Sequence, residues 1–308
     1  MPALTPLRFS TGSFAPPSPR SPPWPGPARW LSLASAVALA ACAGCARPPD
    51  TPAFLPPVTP TFTGVDRLQA LLPADVLLLG EQHDAPDHQR LQRGVVTWLA
   101  ERGQLAALVM EMAERGHSTN GLPRTATEAQ VQAALQWNDA AWPWRAYGPV
   151  VMAAVAGGVP VYGGNLPRAH MREAMAQTRW DQHLPPAALQ WQYEALREGH
   201  CGLLPESQIA PMARIQIARD ASMAQAVQNT LRPHQTVVLV AGGGHVLRSV
   251  GVPTHWPENI VAKVALTKAE QAHPAIKNKA NHDADLVIET PELPPQDVCA
   301  PLREKQQP

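Results

Sequence analysis

Short, continuous apolar runs recur along the middle of the chain, and each is followed by glycine or polar residues. The runs lie at residues 75–80, 106–110, 159–162 and 236–240. They lack the alternation of apolar and polar positions that a half-exposed strand shows, and are typical of strands buried on both faces of a parallel sheet. We therefore predict four buried strands, and two further strands at 260–266 and 286–289 that fit the edge of a sheet.

Helical periodicity fills the intervals between these runs. A helix that begins near Pro86 places Leu91, Val95, Trp98 and Leu99 on one face. Further helices are predicted at 146–156, 185–197 and 207–230. Strands that alternate with helices favour an α/β fold with a mostly parallel central sheet flanked by helices. Its ligand crevice is expected at the carboxyl ends of the strands.

The first 60 residues lack this periodicity and are rich in proline. No acidic residue precedes Asp50, and the apolar run at 30–41 is shorter than the roughly 20 residues that a membrane-spanning helix needs. Such a run after a basic segment is typical of a signal peptide. It ends in Leu39-Ala40-Ala41-Cys42, which resembles the bacterial lipobox, in which the cysteine is lipidated. The alternative is an ordinary signal peptide with a chance cysteine.

These patterns predict the organisation of the chain. We expect a signal peptide at 1–41, a lipidated cysteine with a proline-rich tether at 42–64, one α/β domain at 65–290 and a flexible tail at 291–308. Acyl chains on Cys42 would anchor the domain at the cell envelope, each buried methylene contributing about 0.8 kcal/mol. By analogy with Gram-negative lipoproteins, Ala43 implies attachment to the outer membrane. It does not indicate whether the domain lies on the periplasmic or the surface side.

The composition adds little about partners. Lysine plus arginine and aspartate plus glutamate number 25 each, so no nucleic-acid partner is expected.

The other cysteines, Cys45, Cys201 and Cys299, leave two alternatives, one disulfide or free thiols.

Each of the four buried runs is followed by ionisable or amide side chains. For one such residue a capping or loop role is the usual explanation, but four strand ends with such residues favour a functional site. The candidate pocket residues are Glu81, His83, His88, Glu111, Tyr147, Asn165, Arg168, Arg219, Asp220 and His245. Arg219 and Asp220 lie within an apolar face of the helix at 207–230, where they either meet the crevice or form a structural ion pair.

Several of these residues belong to motifs that resemble one known family. The motifs are GEQHDAPDHQRLQ at 80–92, VMEMAERG at 109–116, residues 144–147, GGNLPR at 163–168, GHC at 199–201, QIARDASMA at 216–224 and GGGHVLRSVGVP at 242–253. Their order and spacing are similar to those of the ChaN-like haem-binding uptake lipoproteins. The resemblance implies a haem cofactor, a homodimer with haem between its subunits, a role in iron uptake and an outer-membrane haem receptor as a partner. Tyr147 and Tyr193 are the candidate axial ligands.

The motifs also resemble a wider group that includes the erythromycin esterases and the Tiki/TraB proteins, and this implies an alternative function. In a hydrolase, Glu81 or Glu111 would activate water, and His83 or His245 would act as acid or base. A divalent metal, if present, would be held by His83, Glu111 and His245. A serine esterase is disfavoured because the sequence has no G-x-S-x-G motif. A third alternative is an envelope interaction module.

Overall fold

In the computed structural model, residues 63–269, 282–294, 297, 299–300 and 303 are described. Within these residues six strands form one sheet in the order β3-β2-β4-β1-β5-β6, and every adjacent pair is parallel. The strands are β1 (Val76–Glu81), β2 (Leu105–Glu114), β3 (Val161–Asn165), β4 (Thr236–Gly242), β5 (Ala262–Ala269) and β6 (Leu286–Thr290). The expected α/β fold with a parallel sheet is confirmed.

Helices cover both faces of this sheet. They are α1 (Thr63–Gln69), α2 (Pro86–Glu101), α3 (Glu128–Leu135), α4 (Trp144–Ala156), α5 (Met171–Ala176), α6 (Pro186–Gly199), α7 (Glu206–Gln228) and α8 (Gly243–Val246). Short 3₁₀ turns lie at Arg168–His170, Thr178–Gln182 and Val252–His255. Helices α1 to α4 pack in one apolar cluster, while α6 to α8 contribute to a second cluster.

The central strand β1 shows why the apolar runs have no alternation. Leu77 and Leu79 belong to the cluster with α2 and α4, whereas Val76 and Leu78 belong to the cluster with α7. All four side chains are buried because successive side chains point to opposite faces and a helical layer covers each face.

All six strands continue further towards their carboxyl ends than the apolar runs predict, β2 and β3 among them. Strand β2 continues past Met110 to Glu114, and β3 begins and ends later than expected, at Val161 and Asn165. The pairing of β2 with β3 shifts between Met110 and Glu114, where β2 bulges. A bulge leaves residues unpaired without ending the strand. Glu81, Glu111 and Asn165 therefore lie within strands, and the prediction that they follow the strands is wrong.

A disulfide ties Cys299, beyond β6, to the domain. Cys299 forms a disulfide with Cys201, which follows α6. Of the two alternatives for the cysteines, the structure therefore has the disulfide for this pair. The predicted signal peptide, Cys42 and Cys45 lie outside the described residues. Among those that are described, no helix is long and apolar enough to cross a membrane.

Candidate functional site

Glu81, the last residue of β1, is the best-connected side chain at the carboxyl edge of the sheet. It is only 3% exposed, because α2 and α4 cover it. Its Oε1 accepts hydrogen bonds from Tyr147 Oη–H at 2.6 Å and from His83 Nδ1–H at 2.8 Å. Its Oε2 accepts from the Nε2 amides of Gln92 at 2.6 Å and Gln89 at 3.0 Å. Four donors therefore compensate the burial of this carboxylate.

His83 connects Glu81 with the next carboxylate. Its Nε2 lies 3.9 Å from Glu111 Oε2, and its side chain is 39% exposed. The rings of His83 and Trp142 meet edge to face with centroids 4.8 Å apart. Burial lowers the pKa of His83, but the hydrogen bond to Glu81 and the charge of Glu111 outweigh burial and raise it. The imidazolium form is thus favoured between the two carboxylates.

Glu111 lies at the bulge of β2, with its carboxylate directed at β4. Its Oε2 accepts the Gly242 N–H at 2.7 Å, and its main-chain oxygen accepts from Asn165 Nδ2 at 2.9 Å. Burial raises the pKa of Glu111, but His245, His83 and the Gly242 N–H together lower it below the usual value. A Cβ at Gly242 would lie 2.9 Å from His83 Nε2, so a larger residue there would displace the His83 ring.

His245 forms the other end of the arrangement. It lies on the short helix α8 after β4, and its Nδ1–H donates to Asp220 Oδ1 of α7 at 2.6 Å. Its Nε2 is 3.6 Å from Glu111 Oε1. Burial lowers the pKa of His245, but the charges of Asp220 and Glu111 raise it to about 9. The ring is therefore charged at neutral pH.

We call Glu81, His83, Glu111, Asp220 and His245 the carboxyl-edge cluster. Two carboxylate–histidine pairs meet at Glu111, so carboxylates and imidazoles alternate along the edge of the sheet. Such an arrangement can hold and transfer protons between neighbouring groups. Within the described part of the chain, no group of three or more His, Cys, Asp or Glu side chains is placed to hold a metal ion.

Several predicted residues lie elsewhere or have another role. His88 is fully buried; its Nδ1 accepts the Gln82 N–H and its Nε2 is 3.0 Å from Thr290 Oγ1, so both ring nitrogens are used in the fold. Tyr147 is 1% exposed, and burial together with the charge of Glu81 raises its pKa. Tyr193 is half-buried on α6 in a separate apolar cluster.

The sequence reasoning missed Gln89 and Gln92. Both lie on the face of α2 that packs on the sheet, and both donate to Glu81. The sequence could have identified them, because residues 89, 92, 96 and 99 fall on one helical face when plotted at 100° per residue. Two amides on an otherwise buried face indicate a polar partner beneath the helix.

A cavity of about 350 Å³ adjoins the cluster at Glu111. Asn165 of β3, Arg168 and Arg219 of α7 also line it. We call it the Asn165 cavity. Asp220, which neighbours Arg219 in sequence, pairs with His245 instead, so the two charged residues of α7 serve different parts of the site.

The fold and the site define a class: parallel α/β proteins with an acid–imidazole cluster at the carboxyl edge of the sheet. The chain belongs to the family described as haem-binding uptake, Tiki superfamily, ChaN, whose model matches residues 67–255. This confirms the family that the motifs indicate.

A solved structure shows the same fold. The chain is similar to ChaN of Campylobacter jejuni, described with cofacial haem binding, with a TM-score of 0.59 and 22% sequence identity over 72% of this chain and 89% of that chain. It also matches the type III effector HopBA1, with a TM-score of 0.36 and 16% identity over 71% of this chain and 88% of that chain. A comparison with curated proteins found no match.

Proposed function

We propose that this protein binds haem and serves haem or iron uptake. Its membership of a family described as haem-binding uptake is the observation that carries the proposal. The fold shared with ChaN of Campylobacter jejuni supports it. The cofacial haem binding described for that protein suggests that haem lies between two copies of this chain as well.

Tyr193 is the better of the two axial-ligand candidates. Tyr147 is buried, and its hydroxyl group is committed to Glu81. Tyr193 is half-buried beside Leu196, Ile209 and Met212, which offer apolar contacts to a porphyrin.

Hemin titration tests this assignment. We expect the purified full chain to give a saturable Soret band and to shift towards a dimer in sedimentation when hemin is added. Tyr193→Phe should shift the Soret maximum and weaken hemin binding at least tenfold, because an oxygen ligand to iron is lost. Tyr162→Phe, at the half-buried tyrosine of β3, is the matched control.

Two results would contradict these proposals. Absence of a saturable Soret change in the wild-type protein would exclude haem binding. A normal Soret band in Tyr193→Phe, with a shifted band in Tyr147→Phe, would instead assign the iron to Tyr147.

We further propose that Cys42 is lipidated after cleavage of residues 1–41 and anchors the protein at the outer membrane, where a haem receptor would be its partner. The disulfide between Cys201 and Cys299 supports an oxidising compartment. Cys42→Ser should release the protein from the membrane fraction, whereas Cys45→Ser should not. If neither substitution releases the protein from the membrane fraction, the proposed lipid anchor on Cys42 is contradicted.

A hydrolase is the second candidate function, favoured by the pairing of Asp220 with His245 beside the buried Glu111. A carboxylate next to a carboxylate-oriented imidazole is suited to general acid–base chemistry. In that case Glu81→Gln or His245→Ala should abolish turnover in a panel of ester, amide and phosphoester substrates while the fold is retained. Wild-type protein that is inactive across the panel would count against a hydrolase.

A further inference from the structure

The Asn165 cavity contains polar groups that the carboxyl-edge cluster does not use. Its polar lining includes Asn165, Arg168 and Arg219 together with the acidic residues Glu111 and Glu114, and its apolar lining includes Met112, Trp142, Leu166 and Met171. A cavity of about 350 Å³ is at the small end of the range for small-molecule sites, roughly 300–1,000 Å³. The cavity therefore fits a compact ligand that has both an apolar and a polar part.

Asn165 supplies an acceptor that the protein leaves unused. The residue is 8% exposed, and its Nδ2 donates to the main-chain oxygen of Glu111. Because that partner is an acceptor, the orientation of the amide is fixed, and Oδ1 is the remaining polar atom. Oδ1 is buried and accepts no hydrogen bond from any residue that the structure describes. A buried acceptor without a donor is costly, so Oδ1 requires an N–H or O–H group.

Arg219 supplies the complementary donor. Its Nε is buried and has no acceptor among the described residues, while its Nη1 makes only a long contact of 3.5 Å with Gln216. Arg219 and Glu111 line the same cavity, and the charge of Arg219 helps to lower the pKa of Glu111. Arg168, an exposed arginine, also lines the cavity. The arginine side of the cavity therefore requires a ligand with a hydrogen-bond acceptor, and a carboxylate matches it best.

We propose that the Asn165 cavity binds a small carboxylic acid that carries an O–H or N–H donor next to its carboxylate, as an α-hydroxy or α-amino acid does. The carboxylate binds Arg219 and Arg168, the adjacent donor binds Asn165 Oδ1, and an apolar substituent packs on Met112 and Met171.

This site is distinct from the proposed haem site. A haem propionate carries a carboxylate but has no donor beside it, and would leave Asn165 Oδ1 unsatisfied. The apolar cluster around Tyr193 includes none of the residues that line the cavity. The inference rests on the cavity alone, so its failure would leave the haem proposal unaffected.

Three related probes separate the two recognition elements. Mandelate has the carboxylate, the α-hydroxyl and an apolar ring; phenylacetate lacks the hydroxyl; mandelamide lacks the charge. By calorimetry on the purified full chain, mandelate should bind with a stoichiometry of one per chain and about tenfold more tightly than either of the other two. The reason is that each of these leaves one buried polar group unpaired.

Two variants assign the contacts. Asn165→Ala should weaken mandelate binding to the level of phenylacetate while leaving phenylacetate unchanged, and Arg219→Gln should weaken it to the level of mandelamide. The control is Arg172→Gln, an exposed arginine outside the cavity lining, which should bind all three probes as the wild type does. If Asn165→Ala fails to fold, mandelate binding by Arg219→Gln, at a half-buried position, still tests the proposal.

Three outcomes would overturn the proposal. The first is no saturable binding of any probe, in which case the two polar groups are satisfied by water alone. The second is equal affinity for mandelate and phenylacetate. The third is displacement of bound mandelate by stoichiometric hemin, which would make the cavity part of the haem site.

Discussion

At the scale of single residues, the carboxyl-edge cluster depends on charges that are stable only in each other's presence. His245 is held between Asp220 and Glu111, and four donors surround Glu81. Removal of one partner from such a buried arrangement leaves another charge uncompensated. Each residue of the cluster is therefore expected to affect the protonation of its neighbours.

The raised pKa of His245 predicts a pH dependence of stability. The pKa rises from 6.5 in the unfolded chain to about 9 in the folded protein, so the folded state binds the proton more tightly. This contribution is fully present below pH 6.5 and is lost as the pH rises towards 9; at 1.36 kcal/mol per pKa unit it is on the order of 3 kcal/mol. His83, whose pKa is also raised, contributes with the same sign.

Asp220→Asn tests this interpretation. It removes the larger of the two charges that raise the pKa of His245, so the pKa should fall and the loss of stability between pH 6.5 and 9 should become smaller. Urea unfolding as a function of pH, together with NMR titration of the His245 ring, would measure both effects. Asp87→Asn, at a carboxylate paired with the exposed Arg90, is the control. An unchanged His245 titration in Asp220→Asn would contradict the pairing.

At the scale of elements, the bulge of β2 determines where Glu111 and Asn165 lie. Strand β3 approaches this bulge closely: Gly163 N–H donates to His117 O at 3.0 Å, and a Cβ at Gly163 would lie 2.0 Å from the main-chain oxygen of Glu114. The main chain at Glu114 cannot move away from an added methyl group as the end of a flexible side chain could. The glycine therefore allows β3 to follow the bulge and to deliver Asn165 to the cavity.

Gly163→Ala should consequently destabilise the protein by about 1–3 kcal/mol, because the added methyl group forces β3 away from β2. It should also perturb any ligand that binds at Asn165. The measurement is the free energy of unfolding by urea. Gly199→Ala, at a position on α6 where a Cβ meets no atom within 4 Å, is the matched control and should be close to neutral. Equal stabilities of the two variants would contradict the close approach.

At the scale of the whole molecule, the disulfide joins parts of the chain that are far apart in sequence. Cys201 lies between α6 and α7, and Cys299 lies beyond β6, with a separation of 98 residues. A cross-link over such a loop restricts the unfolded chain, and the chain-entropy model assigns nearly 5 kcal/mol to about 100 residues, although typical measured values are about 2–4 kcal/mol.

The double substitution Cys201→Ser with Cys299→Ser should therefore lower the free energy of unfolding by about 2–4 kcal/mol. A reducing agent should produce a similar loss in the wild type and no loss in the double variant. Cys45→Ser is the control and should leave the stability unchanged. Reactive thiols at both Cys201 and Cys299 in the native, unreduced protein would show that the disulfide does not form.

Much of the fold was predictable, because burial of a parallel sheet on both faces leaves a direct trace in the sequence. The apolar runs located all six described strands, including β6 at the edge, and the periodicity of Pro86 onward located α2. The strand ends were predicted less well. Beyond Met110, the run of apolar residues is interrupted by Glu111, and a polar residue inside a strand reads as the end of that strand.

The candidate site was predicted in its members but not in its connections. The sequence alone determined that carboxylates, imidazoles and an amide lie near the carboxyl ends of the parallel strands, since strand direction brings these ends to one edge. Only the tertiary structure decided that Asp220 pairs with His245 rather than with Arg219, that Tyr147 is buried against Glu81, and that Asn165 Oδ1 remains unpaired. These outcomes depend on how α4, α7 and β3 pack, and contacts over long sequence separations leave no periodic pattern in the sequence.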